Sequence, residues 1–214
     1  MTTIIFVRHG QSESNLAQVF TGQGDVSLTS LGLEQAERTA AYLRRYPIDC
    51  IYSSNLRRAM QTAGPTARMC SLPIIPDPQL REIAAGEWEG KRYETLRAEY
   101  AEAYAVWLND IGRAHPTGGE RVSELAVRVW AAVDRIVREH RGGCVAVFSH
   151  ATPTRAIGCR WFGYPVEEMA RLRWVPNASV SVAEYDDNGS IRVVQFGYDG
   201  HQGDSSTAIP QGLA

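Results

Sequence analysis

Short apolar runs alternate with amphipathic segments along most of the chain. Continuous apolar stretches, typical of strands that are buried on both faces, lie at 3–7, 49–54, 72–76 and 143–150. Apolar residues recur at helical spacing at 27–46, 55–70, 93–108 and 119–140, with a further helix from Pro153. Buried strands that alternate with helices predict an α/β fold of three layers, αβα, around a mainly parallel central sheet.

Local signals mark the ends of several of these elements. Thr29 is placed to cap the helix at 27–46, and Pro47 ends that helix. Pro65 lies inside the helix at 55–70, where we expect a kink. Residues 80–92 are predicted to form a loop.

The last third of the chain predicts a β-hairpin followed by a polar tail. The segments "ASVSVAEYDD" and "SIRVVQFGY" are joined by Asn188 and Gly189, a pair typical of tight hairpin turns. Since there is neither an internal repeat nor a linker, we expect one domain at 1–200. Residues 201–214 form a polar C-terminal tail that is either mobile or draped over the surface.

Composition limits the classes of partner. Hydrophobic residues make up 44% of the 214, and the net charge is -2, so nothing indicates a nucleic-acid-binding surface. The apolar runs are too short for a membrane helix, and the first residues lack the pattern of a signal peptide. The four cysteines are scattered, as expected of free thiols. We therefore expect a cytoplasmic protein.

Charged and polar side chains follow the predicted strands. These are Arg8-His9-Gly10, Ser53-Ser54 with Arg57 and Arg58, Arg81-Glu82, and Ser149-His150. Ligands of open parallel sheets bind beyond the carboxyl ends of the strands, so we expect these groups to converge there. Each has an ordinary interpretation by itself, for example a solvated arginine or a histidine that caps a strand. The functional hypothesis depends on their coincidence.

Such a cluster suits a phosphate ester. The planar guanidinium pairs with two phosphate oxygens at a time, and helix N-termini after Gly10 and Ser54 would add N–H donors. A histidine can accept a phosphoryl group covalently, and a carboxylic acid can protonate the leaving alkoxide. Because arginines and a second histidine can carry the charge, this chemistry requires neither a metal ion nor a cofactor.

Four segments resemble the signature segments of the histidine phosphatase superfamily in order and spacing. They are "FVRHGQSESN", "YSSNLRRAMQTA", "LREIAAGEWEG" and "AVFSHATPTRA", and "GDVSLTSLGLEQA" also resembles a segment of that clan. The clan contains cofactor-dependent phosphoglycerate mutases and acid-type phosphatases. The resemblance runs from about residue 3 to about residue 197 and implies a phosphoglycerate mutase-like fold.

The resemblance assigns catalytic roles to five residues. His9 corresponds to the nucleophile that becomes phosphohistidine. Arg8 and Arg58 correspond to the arginines that clamp the phosphate, although spacing alone does not choose between Arg58 and its neighbour. His150 matches a histidine that donates to the phosphoryl oxygens, and Glu82 matches the proton donor to the leaving oxygen.

The resemblance also implies further contacts to phosphate and substrate. Asn15 matches an asparagine that reaches the phosphate, and Thr21 and Gly22 lie where the family contacts its substrate. Ala151 stands in place of the usual glycine after His150, so its methyl group is expected to crowd the pocket slightly. Thr21 stands where phosphatase-like members often carry glutamine.

The implied mechanism makes demands on other residues. The flanking arginines should hold the pKa of His9 low enough to keep it neutral. Glu82 must arrive protonated, and nearby Glu87 and Glu89 are candidates for the negative charges that would raise its pKa.

Tyr93, Tyr100, Tyr104 and Trp107 are candidate pocket residues. Arg155 is expected to be a structural ion-pair partner, and His201 is a candidate for folding over the pocket.

Three functions stay open on this basis. We prefer a metal-independent phosphomonoesterase that acts on small phosphorylated metabolites as a monomer or a homodimer. A cofactor-dependent phosphoglycerate mutase is the alternative, but only 67 residues (83–149) separate Glu82 from His150, and mutases carry a longer insertion there. A non-catalytic phosphate-binding protein is the third.

Overall fold

The computed structural model describes residues 1–207, and its centre is one six-stranded sheet. The strands are β1 (Thr2–Arg8), β2 (Cys50–Ser53), β3 (Ile74–Pro76), β4 (Cys144–Ser149), β5 (Val180–Tyr185) and β6 (Ile191–Tyr198). Their spatial order is β3-β2-β4-β1-β5-β6. The first four pair in parallel, whereas β5 runs antiparallel to both β1 and β6. The predicted mainly parallel sheet and the hairpin are therefore confirmed.

Seven helices surround this sheet within the described residues. They are α1 (Glu13–Ala17), α2 (Ser30–Leu43), α3 (Arg57–Cys70), α4 (Tyr93–Glu99), α5 (Ala101–Asn109), α6 (Val122–Glu139) and α7 (Ala151–Phe162). Short 3-10 turns lie at Pro78–Leu80, Gly86–Trp88, Ile111–Arg113, Val166–Arg171 and Gly200–Ser205. None of the helices within residues 1–207 is both long enough and apolar enough to cross a bilayer.

The side chains of β1 alternate between the two faces of the sheet and so contribute to two separate apolar clusters. Ile4 and Phe6 belong to one apolar cluster, which also contains the buried face of α6. Ile5 and Val7 belong to a second cluster, on the side of α2 and α3. Successive side chains of a strand point to opposite faces, so a continuous apolar run can contribute to both layers. This is the physical basis of the αβα architecture.

The helices of the structure test several local predictions. The single helix expected at 93–108 is two helices, because Tyr100 has φ -126° and ψ 36°, which interrupts the helical backbone. Thr29 does cap α2, since its Oγ1 accepts from the N–H of Gly32 at 3.1 Å. Pro65 lies inside α3, which runs from Arg57 to Cys70, and the expected kink stays a prediction. Helix α1 and the 3-10 turn at 86–88 were not expected.

The segment after β6 folds against α2. His201 stacks on Tyr42 with ring centroids 4.7 Å apart, and the buried Gln202 donates to Thr39 Oγ1 at 3.0 Å. His201 thus packs on α2 and is not among the described residues that line the cavity, so this candidate for a cover over the pocket is not supported. Residues 208–214 of the predicted tail lie outside the described residues.

Candidate active site

The register of the sheet brings two histidines together. Arg8, the last residue of β1, is paired with Ser149, the last residue of β4, so His9 and His150 leave the sheet side by side. Their ring centroids are 5.1 Å apart in an edge-to-face arrangement, and both side chains are buried. Because β1 and β4 end at the same edge of the sheet, two side chains that are 141 positions apart in the sequence come into contact.

Hydrogen bonds define the tautomer of His9. Its Nδ1 lies 2.7 Å from the carbonyl oxygen of Gly10, which can only accept, so Nδ1 carries the proton. Its Nε2 accepts from Nε–H of Arg58 at 3.3 Å. Burial, the charge of Arg58 and the charge of Arg8 lower the pKa of His9 well below its usual value. His9 is therefore neutral, with its lone pair on Nε2.

Arg58 lies on the first turn of α3 and is almost completely buried. Its Nη1 donates to the carbonyl of Gly24 at 2.7 Å, and its Nη2 donates to the carbonyl of Gly22 at 2.9 Å. Burial lowers its pKa to about 10, partly opposed by the charge of Glu82. The neighbouring Arg57 is exposed beside Asp25, so Arg58 is the one of the two that contacts His9.

Arg8 is the second buried cation beside His9. Its Nη1 donates to the carbonyl of Val175, whereas its Nε has no acceptor among residues 1–207 and is buried. Burial lowers its pKa to about 10, and the charge of Glu82 partly offsets this effect. A buried guanidinium that retains an unused N–H next to His9 is suited to an anion that arrives from outside.

His150 contacts His9 but is not among the described residues that line the cavity. Its Nε2 is 2.8 Å from Oγ of Ser54, and its Nδ1 has no partner in the described part of the chain. Burial and then the charge of Arg58 lower its pKa well below the usual value, so the ring is neutral. In this arrangement the imidazole hydrogen-bonds to a serine, which sequence reasoning did not identify as its partner.

Glu82 lines the same cavity as His9. Its Oε1 accepts from the N–H of Ile83 at 2.8 Å, and its Oε2 accepts from the N–H of Thr152 at 3.3 Å, on the first turn of α7. The candidate neighbours Glu87 and Glu89 have other partners, since Glu87 accepts from the Tyr100 hydroxyl and Glu89 accepts from the backbone of Gln23 and Ala85.

The remaining predicted contact residues also line this cavity. Asn15 accepts three hydrogen bonds at Oδ1, one of them from Asn177, which fixes the amide and leaves its NH₂ group to donate. Gly22 has φ +52°, and a Cβ there would lie 2.6 Å from the Glu89 carboxylate. The residues that line the cavity are Arg8, His9, Asn15, Phe20, Thr21, Gly22, Arg58, Glu82, Tyr93, Trp107, Ala151, Thr152 and Trp174.

Sequence reasoning missed several of these residues. Phe20, Thr152 and Trp174 carry no charge, and their segments meet only in the fold. Of the four candidate aromatic residues, Tyr93 and Trp107 line the cavity.

Tyr100 and Tyr104 do not line it and instead pack on Trp88. The expected ion pair of Arg155 is also wrong, because its Nη2 donates to the carbonyls of Met169 and Leu172 instead.

Named proteins align with almost all of this chain. Phosphoserine phosphatase 1 of Hydrogenobacter thermophilus is 30% identical over 89% of this chain and 90% of its own length. A probable phosphoglycerate mutase of Yersinia pestis is 33% identical over 88% of this chain and 87% of its own. The solved structure of Bacillus stearothermophilus YhfR superposes with a TM-score of 0.89, at 28% identity over 94% of this chain and 99% of its own.

Other relatives are longer than this chain. A bifunctional protein of Mycobacterium tuberculosis is 34% identical over 92% of this chain, which spans only 55% of that protein. The model of the histidine phosphatase superfamily (branch 1) matches residues 4–198. With the paired histidines, the buried arginines and this match over nearly its whole length, the chain belongs to branch 1 of the histidine phosphatase superfamily.

Proposed function

We propose that the protein is a phosphomonoesterase that works without a metal ion, through a phosphohistidine intermediate on His9, on small phosphorylated metabolites. The observation that carries the proposal is the fixed state of His9. Its Nδ1 proton is held by the Gly10 carbonyl, and its Nε2 lone pair lies 3.3 Å from Arg58. The phosphatase name of a relative aligned over 90% of its own length supports the same activity.

In the first step the phosphate dianion enters the cavity between Arg8 and Arg58. His9 Nε2 forms a bond to phosphorus while the bond from phosphorus to the ester oxygen breaks. The proton of the Glu82 carboxyl group passes to the leaving oxygen, so the alcohol departs neutral. The two guanidinium groups stabilise the negative charge on the equatorial oxygens, a task that metal ions perform in other phosphoryl-transfer enzymes.

In the second step the phosphoryl group passes from His9 to water. Glu82, now a carboxylate, accepts a proton from the water as its oxygen bonds to phosphorus and the bond from phosphorus to Nε2 breaks. Inorganic phosphate leaves, and Glu82 and His9 return to their starting protonation states. Burial, and then the charges of Arg58 and Arg8, hold the pKa of His9 well below its usual value, so the imidazole is neutral and nucleophilic at the start of each cycle.

The proposal is tested by release of inorganic phosphate from p-nitrophenyl phosphate in the presence of excess chelator. The wild-type chain should turn over at the same rate with and without the chelator, and His9→Gln should show no turnover. Activity that disappears with the chelator and returns with a divalent cation would refute metal independence. Undiminished turnover by His9→Gln would refute the covalent route.

A further inference from the structure

Two chemically different groups of side chains line the cavity. One group is polar and consists of His9, the two arginines and Glu82. The other group, the aromatic wall, consists of Phe20, Tyr93, Trp107 and Trp174. A ligand that fills the whole cavity must therefore join a phosphate group to an apolar body.

The aromatic wall is preorganised by its own packing. Phe20 meets Trp107 edge to face at a centroid distance of 5.0 Å and meets Tyr93 at 6.4 Å, and Trp107 lies 6.1 Å from Trp174. Phe20 and Trp107 are buried, whereas Tyr93 and Trp174 are half-buried and retain exposed surface. Rings fixed in this way offer contact area at little cost in conformational entropy.

Trp174 has a further support in Arg155. The guanidinium carbon lies 4.4 Å from the centroid of the Trp174 ring, and Nη2 donates to the carbonyls of Met169 and Leu172 at 2.8 Å each. Arg155 is buried, and its Nε and Nη1 have no acceptor among the described residues. Since its partners are carbonyls and a ring face, we assign Arg155 as a positioning residue for Trp174.

The distribution of charge disfavours a second anionic group on the ligand. Of the described residues that line the cavity, the arginines are Arg8 and Arg58, and both flank His9. An ester with an extra carboxylate or phosphate would have to share these two cations with the reacting phosphate. An uncharged aromatic alcohol makes no such demand, and its ring would lie against Tyr93 and Trp174.

We propose that the cavity selects monophosphate esters of flat aromatic alcohols, with Trp174 as the specificity-determining residue. This inference rests on the proposed phosphomonoesterase function. Naphthylethyl phosphate and ethyl phosphate separate the contribution of the ring from leaving-group chemistry, because both release a primary alkoxide. We expect wild-type kcat/KM to be about tenfold or more higher for the naphthyl ester, as a well-placed aromatic contact provides.

Substitutions of Trp174 and Arg155 test which side chains cause the preference for the naphthyl ester. In Trp174→Ala the ratio of kcat/KM for the naphthyl ester to kcat/KM for ethyl phosphate should fall about tenfold, mainly because KM for the naphthyl ester rises. Trp174→Phe should keep most of this ratio. Arg155→Met should lower the preference in the same way. Phe162→Ala is the matched control, since Phe162 is exposed and packs on Tyr164 and Phe196 outside the cavity.

Failure of this inference differs from failure of the proposed function. Equal kcat/KM for the two esters in the wild type, or an unchanged preference in Trp174→Ala, would overturn the aromatic specificity while hydrolysis itself stands. If neither ester is hydrolysed and p-nitrophenyl phosphate is not hydrolysed either, the phosphatase proposal fails. Calorimetric binding of the two esters then decides the specificity, with the same tenfold preference expected and equal affinities overturning it.

Discussion

The Nε–H of Arg58 donates to Nε2 of His9 across 3.3 Å, while the other nitrogens of Arg58 hold the carbonyls of Gly22 and Gly24. One guanidinium thus joins the proposed nucleophile to the loop that covers it. This contact occupies the Nε2 lone pair of His9. It also means that a bound phosphate has to draw Arg58 away from His9 before Nε2 can attack.

Replacement of Arg58 should impair catalysis far more than replacement of its neighbour. Arg58→Lys keeps a charge but loses the planar fork, so kcat/KM for p-nitrophenyl phosphate should fall by about a hundredfold to a thousandfold. Arg57→Ala is the matched control, because Arg57 is exposed. Equal losses in the two variants would show that Arg58 has no special role.

Glu82→Gln should reveal the general acid through the identity of the leaving group. An alkoxide needs a proton, whereas p-nitrophenolate leaves readily without one. We expect turnover of ethyl phosphate to fall by about a hundredfold or more. The rate of His9 phosphorylation by p-nitrophenyl phosphate should fall much less.

Glu87→Gln serves as the control for this experiment, since Glu87 pairs with Tyr100. A loss of the same size for both esters, measured as the rate of the first turnover, would contradict proton donation by Glu82.

We expect Asn177 to be a positioning residue for the backbone of His9 and Gly10, which follows β1. Its Nδ2 donates to the carbonyls of His9 and Gly10 at 3.2 and 3.3 Å and to Asn15 Oδ1 at 3.1 Å. Asn177→Ala should lower kcat about tenfold and the free energy of unfolding by about 1–3 kcal/mol, because buried carbonyls lose a donor.

The measurements for Asn177→Ala are steady-state kinetics and urea unfolding. Thr207→Ala is a milder comparison, as it removes only a hydroxyl that donates to Asn177 Oδ1 at 3.1 Å. A variant with lower stability and wild-type kcat would limit Asn177 to a structural role.

Acid should destabilise the fold from near neutrality. Burial lowers the pKa of His9 and His150 well below 6.5, and it lowers the pKa of His201 to about 4. The unfolded chain therefore binds more protons below about pH 6.5, and stability is lost as the pH falls below that value. The slope is at most about 1.4 kcal/mol per pH unit for each histidine.

Urea unfolding between about pH 7.5 and about pH 5 measures this slope. His201→Phe keeps a ring against Tyr42 and removes one titrating group, so its free energy of unfolding should depend less steeply on pH. For His201 the effect is confined to the window between about pH 6.5 and about pH 4. A pH-independent free energy of unfolding in the wild type would contradict the buried neutral histidines.

The sequence predicts the sheet and the place of the site because both follow from local rules. A continuous apolar run such as 3–7 can satisfy two core layers, and parallel strands present Arg8, His9 and His150 at one edge. Arg58 could be chosen over its neighbour only by resemblance. In the fold the reason is helical phase, since Arg58 points inward and Arg57 outward.

The rest of the site depends on contacts that no local pattern encodes. Trp174 and Asn177 lie in the segment before β5, and their partners Arg155 and His9 come from distant parts of the chain. The break at Tyr100 and the bond from His150 to Ser54 likewise arise from tertiary packing. These features could be located only once the segments were assembled.

Trapping of the covalent intermediate tests the central claim most directly. Wild-type protein mixed with p-nitrophenyl phosphate and quenched in alkali should gain the mass of one phosphoryl group, located on the peptide that contains His9 and lost again on mild acid treatment. His9→Gln should gain none. A wild-type chain that releases phosphate at full rate with no phosphorylated species at any time, or with the phosphoryl group on another residue, would contradict the account.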